Sequence, residues 1–200
     1  MKEQFLDLSK NRRSIYALGR NVSQSPDEIA NLIQENIKWA PTPFNNQTTR
    51  AIILFGENHE KLWDIVADRL KSEVPSEEAY QKTLQKINAF KAAFGTVMFF
   101  TDVDVVKANE DAFPLYADNF SDWSEQAQGN AQYAVWTSLA ENGIGANLQH
   151  YNPIIDDLVK DAFNVPDNWK LRAQLDFGSI EAGAGDKDFM DDADRFRVLK

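Results

Sequence analysis

The sequence predicts helices packed on a central sheet. Two short, nearly continuous apolar runs of strand character, RAIILFG at 50–56 and GTVMFFTD at 95–102, are separated by amphipathic stretches of helical period rather than by hairpin turns. No internal repeat breaks this alternation. With 43% apolar residues among 200, the chain can build one good core, so a single domain over 1–200 is expected.

Each element follows from local chemistry. The opening MKEQFLDLSK is short and amphipathic and lacks the apolar centre of a signal peptide. In SPDEIANLIQENIKWAP, Ser25 stands three residues before Glu28, the spacing of a capping box, and Pro26 takes the first helical position, where its missing N–H is harmless. Ile29, Ile33, Ile37 and Ala40 then share one face, and the helix should stop before Pro41. RAIILFG reads as a strand buried on both faces. Leu62, Ile65, Val66 and Leu70 mark a helix after it; Tyr80, Leu84, Ile87 and Phe94 mark another, with Pro75 between them.

GTVMFFTD is the second buried strand, and the mixed region through Phe113, Pro114 and Tyr116 reads as short helical turns, with Phe113 in a candidate lid. A long helix runs from Asp122 to Asn142, where Ala127, Gly129, Ala131 and Ala134 allow a neighbouring helix to approach closely. Gly143 suits its left-handed stop. ANLQHYNP should leave as a strand edge and turn, followed by a helix containing Ile154, Ile155, Leu158 and Val159. LRAQLDFGSI alternates as a strand with one wet or partly covered face. The tail EAGAGDKDFMDDAD is a Gly- and acid-rich linker that extends on the order of 45 Å at most, and RFRVL after it alternates like a strand.

The formal net charge of −10 leaves no basic stripe to track a phosphate backbone, so no nucleic-acid partner is expected. Any small anion must be met by a local cationic cluster. The chain has no cysteine, which excludes disulfides, thiolate nucleophiles and cysteine-ligated metals. No stretch approaches the roughly 20 apolar residues of a membrane span, so no membrane partner is expected, and a cytoplasmic protein is.

Against that acidic background, Arg12, Arg13 and Ser14 form a candidate anion site; taken alone they also fit solvated surface arginines. Arg195 and Arg197, two apart in an expected strand, could present two guanidinium forks to one anion, or simply a charged sheet edge. Thr42, Asn45, Asn46 and Gln47 could read the polar edge of a heterocycle, or hold a turn. GIGANL lacks the third glycine of a dinucleotide fingerprint, and DVDVVKANEDAF lacks the central glycine and closing Glu of a calcium loop. There is no G-x-S-x-G and no H-E-x-x-H, and no metal site is expected. His59 reads as a solvated residue at a helix start, and His150 as the better candidate for a site or, equally, as a packed, hydrogen-bonded histidine. What remains is chemistry carried by an organic cofactor.

The order RRS at 12–14, APTPFNNQ at 40–47, GIGANLQHYNP at 143–153 and RFR at 195–197 resembles the FMN-dependent nitroreductase family over essentially the whole chain. In detail it is similar to the short, fatty-acid-repression-mutant-like subgroup, whose members carry LQHYNP. The resemblance implies an α+β fold with a central mixed, mainly antiparallel sheet flanked by helices. It further implies a homodimer with FMN at the interface, in which 181–200 is an extension reaching the partner subunit and its C-terminal strand is exchanged.

It also implies roles for residues. Arg12, Arg13, Arg197 and Arg195 would hold the FMN phosphate, with Ser14 near the phosphate or ribityl chain. Pro41, Thr42, Pro43, Asn45 and Gln47 would reach the flavin ring from the opposite subunit. Leu148, Gln149, His150 and Tyr151 would line the ring where a backbone N–H meets N5, with His150 at a position commonly acidic in relatives. The implied activity is ping-pong hydride transfer from NADH or NADPH to nitroaromatics, quinones or related acceptors, with the flavin carrying the chemistry and His150 the one side chain with a possible catalytic part. The alternative is an FMN-binding redox or lipid-stress regulatory protein with little turnover, since the subgroup is linked with lipid signalling and oxidative stress. A relative that has lost the cofactor is a third reading.

Overall fold

The computed structural model describes residues 2–200. In chain order the elements are α1 (Gln4–Asn11), β1 (Leu18–Gly19), α2 (Pro26–Trp39), β2 (Thr49–Phe55), α3 (Gly56–Leu70), α4 (Glu77–Lys91), β3 (Gly95–Asp102), α5 (Val103–Ala112), α6 (Phe120–Glu141), β4 (Gly145–Gln149), α7 (Asp156–Phe163), β5 (Trp169–Ile180) and α8 (Asp192–Arg195). Short 3-10 turns occupy Pro43–Asn45 and Pro114–Asn119.

The capping box is present, with Ser25 Oγ accepting from the Glu28 N–H and the Glu28 carboxylate accepting from the Ser25 N–H. Gly143, at φ 75°, follows the end of α6 as the expected left-handed stop. The region after β3 is more regular than expected. Asp102 accepts from the Val105 N–H and so caps the ten-residue α5, which its polar sequence concealed.

The strands form one sheet in the order β1-β5-β3-β2, with β4 also on β5, every ladder antiparallel. One parallel bridge, Ser14 to Ala146, makes it mixed. Period-two alternation sends Met98 and Phe100 to the layer of α3, α4 and α7, and Val97 and Phe99 to the layer of α2 and α6. Strand β5 has the expected partly covered face at its start, where Lys170 is exposed and Arg172 half-buried, whereas Ala173 to Gly178 are buried on both sides, because β3 and β4 flank it and helices cover both faces. Conversely β2 is an edge strand in which only Leu54 is fully buried, so its apolar run reflects half-covered rather than central placement. At Gly178 an added Cβ would lie 2.3 Å from the Gly19 carbonyl, so glycine lets β1 close against β5 beside the start of β4.

His59 is buried, not solvated. Its Nε2 lies 3.1 Å from the Lys91 carbonyl, which can only accept, so Nε2 carries the imidazole proton, and Nδ1 accepts from Thr96 Oγ1 at 2.8 Å. The same Thr96 oxygen lies 2.9 Å from Asp176 Oδ1. Burial pushes the Asp176 carboxyl well above the usual range. Burial likewise pushes His59 from 6.5 down to about 4, although the Lys91 carbonyl favours its charged form.

The two groups shift stability in opposite senses. The His59 contribution is intact above its unfolded value and is lost as pH falls through 6.5 towards 4. The Asp176 contribution, its value being raised, is present below its unfolded 3.8 and is lost as pH rises. Relative to His59→Gln, the wild-type protein is expected to lose about 2–3 kcal/mol in urea unfolding between pH 7 and pH 4. Relative to Asp176→Asn it should gain over the same fall. Parallel pH curves for wild type and His59→Gln would rule out a buried neutral imidazole.

Candidate functional site

Helix α1 is held on α6 by Phe5 packing edge-on to Tyr133, at 6.4 Å between ring centroids, and by the Tyr133 hydroxyl donating to Ser9 Oγ at 2.6 Å. The chain therefore leaves α1 along α6, and Arg12 comes to lie over Trp136 with Cζ 4.4 Å from the ring centroid. Arg12 Nε is buried without a hydrogen-bond partner, and so is Trp136 Nε1. Arg13 Nη2 donates to the Gly185 carbonyl at 2.6 Å. A cavity of about 510 Å³ opens here, with Arg12, Arg13 and Ser14 on one wall and the small residues 182–185 with Asp186 and Lys187 on the other. A second of about 370 Å³ adjoins it, with Ser9, Lys10 and Phe189 added to its lining.

The segment is tied to the sheet by Ser14 bridging Ala146 and by the Ile15 N–H donating to the Ala146 carbonyl at 2.9 Å. The arginines thereby sit beside β4, along which Leu148 and Gln149 follow, with His150 just past its end. Gln149 is buried and His150 is exposed. Tyr151 turns inward against Trp63 and Phe90, and its N–H donates to Gln174 Oε1 at 2.9 Å. Its phenol is pushed up to about 12 by burial and by Asp176, so it stays protonated.

The loop 41–47 is the most strained part of the backbone. Phe44, Asn45 and Gln47 all have φ near +50°, a region that non-glycine residues enter at a cost of order 1 kcal/mol or more each. Several contacts hold it. The Phe44 ring packs on Phe113 at 4.7 Å and Phe120 at 5.6 Å, Asn130 Nδ2 donates to the Pro41 carbonyl at 3.1 Å, and the Gln47 N–H donates to Thr42 Oγ1 at 3.1 Å. Phe44, Phe113 and Tyr116 remain partly exposed and form an aromatic patch over the loop. Pro43 and Asn45 lie in the turn. The buried amide of the loop is that of Asn46, with neither Nδ2 nor Oδ1 partnered.

The structure thus joins Arg12, Arg13 and Ser14 to β4 at Ala146, but within the chain it leaves Arg195 and Arg197 apart from them. Arg195 ends the short α8, residues 196–200 pair with no strand among the described residues, and both arginines are exposed. The cavity walls reach the tail only as far as Phe189. The alternation of RFRVL is not realised as a strand because its apolar side chains meet no sheet edge of this chain. Sequence reasoning missed Trp136, which gave no sign beyond its place on α6, and Asn46 was undervalued beside Asn45.

No helix among the described residues is long and apolar enough to cross a membrane. An α+β chain with this sheet order, helices on both faces and paired arginines before the first strand has the nitroreductase-like fold. The model of the nitroreductase family matches residues 9–179, and the chain belongs to that family of oxidoreductase enzymes. It is similar to nitroreductase FRM2 of Saccharomyces cerevisiae, 35% identical over 190 residues that cover 93% of each protein. It is also similar to nitroreductase CinD from Lactococcus lactis, solved with nicotinic acid and, separately, with chloramphenicol and with 4-nitrophenol. For the nicotinic acid complex the identity is 55%, the TM-score 0.92, and the coverage 98% of this chain and 100% of CinD. A more distant chain from Desulfovibrio desulfuricans, solved with FMN, is 20% identical with a TM-score of 0.69, covers 100% of this chain and 99% of its own, and shares the fold.

Proposed function

We propose that the protein is an FMN-dependent oxidoreductase that uses NADH or NADPH to reduce nitroaromatics, quinones or related acceptors in alternating half-reactions, and that it works as a homodimer. The observation that carries this reading is Arg12: a guanidinium whose Nε is buried and unpartnered, beside Arg13, on a cavity of about 510 Å³ in a chain of net charge −10. A buried donor without a partner is costly, and a phosphate dianion would satisfy it. Ser14 adds a hydroxyl to the same wall.

When bound, the flavin supplies a ring able to take up and pass on hydride. The chain's own residues have the tasks of binding and orientation. Arg12 and Arg13 anchor the phosphate end, and Leu148, Gln149 and His150 form the edge against which the ring lies. Pro41, Thr42, Pro43, Asn45 and Gln47 reach the ring from the opposite subunit, with the Phe44, Phe113 and Tyr116 patch offering an aromatic acceptor a stacking wall. The inward Tyr151 contributes through its backbone rather than its phenol. The exposed Phe189, Met190, Phe196, Val198 and Leu199 of the tail support an extension that packs on a partner subunit and carries Arg195 and Arg197 towards a phosphate there. The nitroaromatic ligands of CinD support the acceptor class, and the FMN of the Desulfovibrio chain supports the cofactor.

The test is an absorbance spectrum of the purified protein, followed by anaerobic titration with each nicotinamide and by turnover with 4-nitrophenol and a quinone. A yellow protein bleached by NADH or NADPH and reoxidised by either acceptor is expected. A yellow protein that does not turn over supports the regulatory alternative, and a colourless one that takes up no FMN ends the proposal.

A further inference from the structure

We propose that Asn147, through its side-chain amide, is a positioning residue for the flavin site: it fixes which end of the Gln149 amide faces the bound ring, so that Gln149 Oε1 is presented as an acceptor to a ring N–H. This rests on the reading above that the end of β4 faces the ring.

Asn147 is fully buried in the middle of β4, where an apolar residue would be expected on a strand packed under helices. Leaving either end of a buried amide unbonded is costly. Its Nδ2 donates to the Ile15 carbonyl at 2.9 Å. A carbonyl can only accept, so the amide cannot be turned round. Oδ1 therefore faces Gln149, which must answer with its NH₂ group, and Gln149 Nε2 donates at 2.7 Å. With Nε2 turned inward, covalent geometry puts Oε1 at the other corner of the Gln149 amide, where no group among the described residues donates to it. Gln149 is the last residue of β4, followed by the exposed His150.

The chain of donors and acceptors begins at Ile15, directly after Arg12, Arg13 and Ser14, and ends at Gln149. One buried amide thus links the segment that meets the phosphate to the segment that meets the ring. The ligand chemistry that fits Oε1 is an imide-like edge carrying an N–H, such as the pyrimidine edge of a flavin.

The test is a double-mutant cycle read as FMN affinity, from quenching of flavin fluorescence, in wild type, Asn147→Leu, Gln149→Ala and the double variant. Gln149→Ala and Asn147→Leu should each weaken binding about tenfold, and Asn147→Leu should cost less than about twofold once Gln149 is already alanine. The visible bands of the bound flavin should also shift to the same position in both single variants, which a purely structural role at position 147 would not produce.

Losses that multiply to about a hundredfold in the double variant overturn the proposal, as does unchanged affinity in Asn147→Leu. Gln149→Glu serves if the position-147 variants do not fold. It sets a carboxylate oxygen against Asn147 Oδ1 and should weaken FMN at least as much as Gln149→Ala, whereas wild-type affinity would overturn the amide relay. If wild type itself takes up no FMN, the flavin reading fails and this inference with it. FMN binding without coupling between 147 and 149 overturns this inference alone.

Discussion

Replacing Arg12 with alanine is expected to weaken FMN binding by roughly 100-fold while leaving the cofactor-free protein as stable as before or slightly more so. The first expectation follows from charge: in a chain of net charge −10 the average field opposes a dianion, and Arg12 supplies a fork whose Nε has no protein partner. Charge-assisted hydrogen bonds contribute about 1.5–3 kcal/mol each, so the loss of one guanidinium reaches the stated factor. The second follows from the same orphaned atom, since removing an unsatisfied buried donor relieves a cost even as the stack on Trp136 is lost.

Arg12→Lys should fall between wild type and alanine, because an ammonium keeps the charge but loses both the fork and the flat face over Trp136. Affinity is measured by flavin fluorescence at two ionic strengths, with the dependence on salt reduced in Arg12→Ala. Wild-type FMN affinity in Arg12→Ala would remove the central support for the cofactor assignment.

Thr96→Val is expected to destabilise the fold by about 3 kcal/mol although it exchanges a hydroxyl for a methyl of nearly the same size. Thr96 Oγ1 is the junction at which Trp63 Nε1 at 3.1 Å, His59 Nδ1 at 2.8 Å and Asp176 Oδ1 at 2.9 Å converge, all of them buried. Valine leaves three polar groups unpaired at once, and each lost partner in the interior costs about 1–3 kcal/mol, partly offset by local relaxation. Thr96→Ser retains the oxygen and should lose only the small packing contribution of one methyl. Urea unfolding at pH 7 separates the two; a Thr96→Val protein within about 1 kcal/mol of Thr96→Ser would show that the junction is not the constraint its geometry implies.

The legible parts of the fold share a short range of interaction. The capping box at Ser25, the apolar run at Gly95–Asp102 and the left-handed stop at Gly143 are each decided within a few residues, and each appears where local chemistry placed it. His59 shows how a readable signal can be overlooked. Its neighbours Glu57, Asn58, Glu60 and Lys61 suggest solvent, yet His59, Leu62, Trp63 and Val66 follow the helical period of one buried face. For β5 no such signal existed, because whether its alternate face is wet depends on which strands and helices arrive beside it. In the site, the RRS and LQH segments were visible as motifs, whereas the unpartnered amide of Asn46 and the ring of Trp136 became meaningful only through burial and proximity.

Amino-acid order by itself determined the start of α2, the stop of α6, the apolar runs that become β2 and β3, the excess of negative charge and the few places where cations collect, since caps, periods and composition act over one or two turns of chain. Tertiary structure alone decided that Arg12 lies over Trp136, that Thr96 joins His59 to Asp176, and that Asn147 stands between Ile15 and Gln149. The reason is physical. The Asn147–Ile15 bond closes a loop of 132 residues, and such a contact forms only when the whole sheet is assembled.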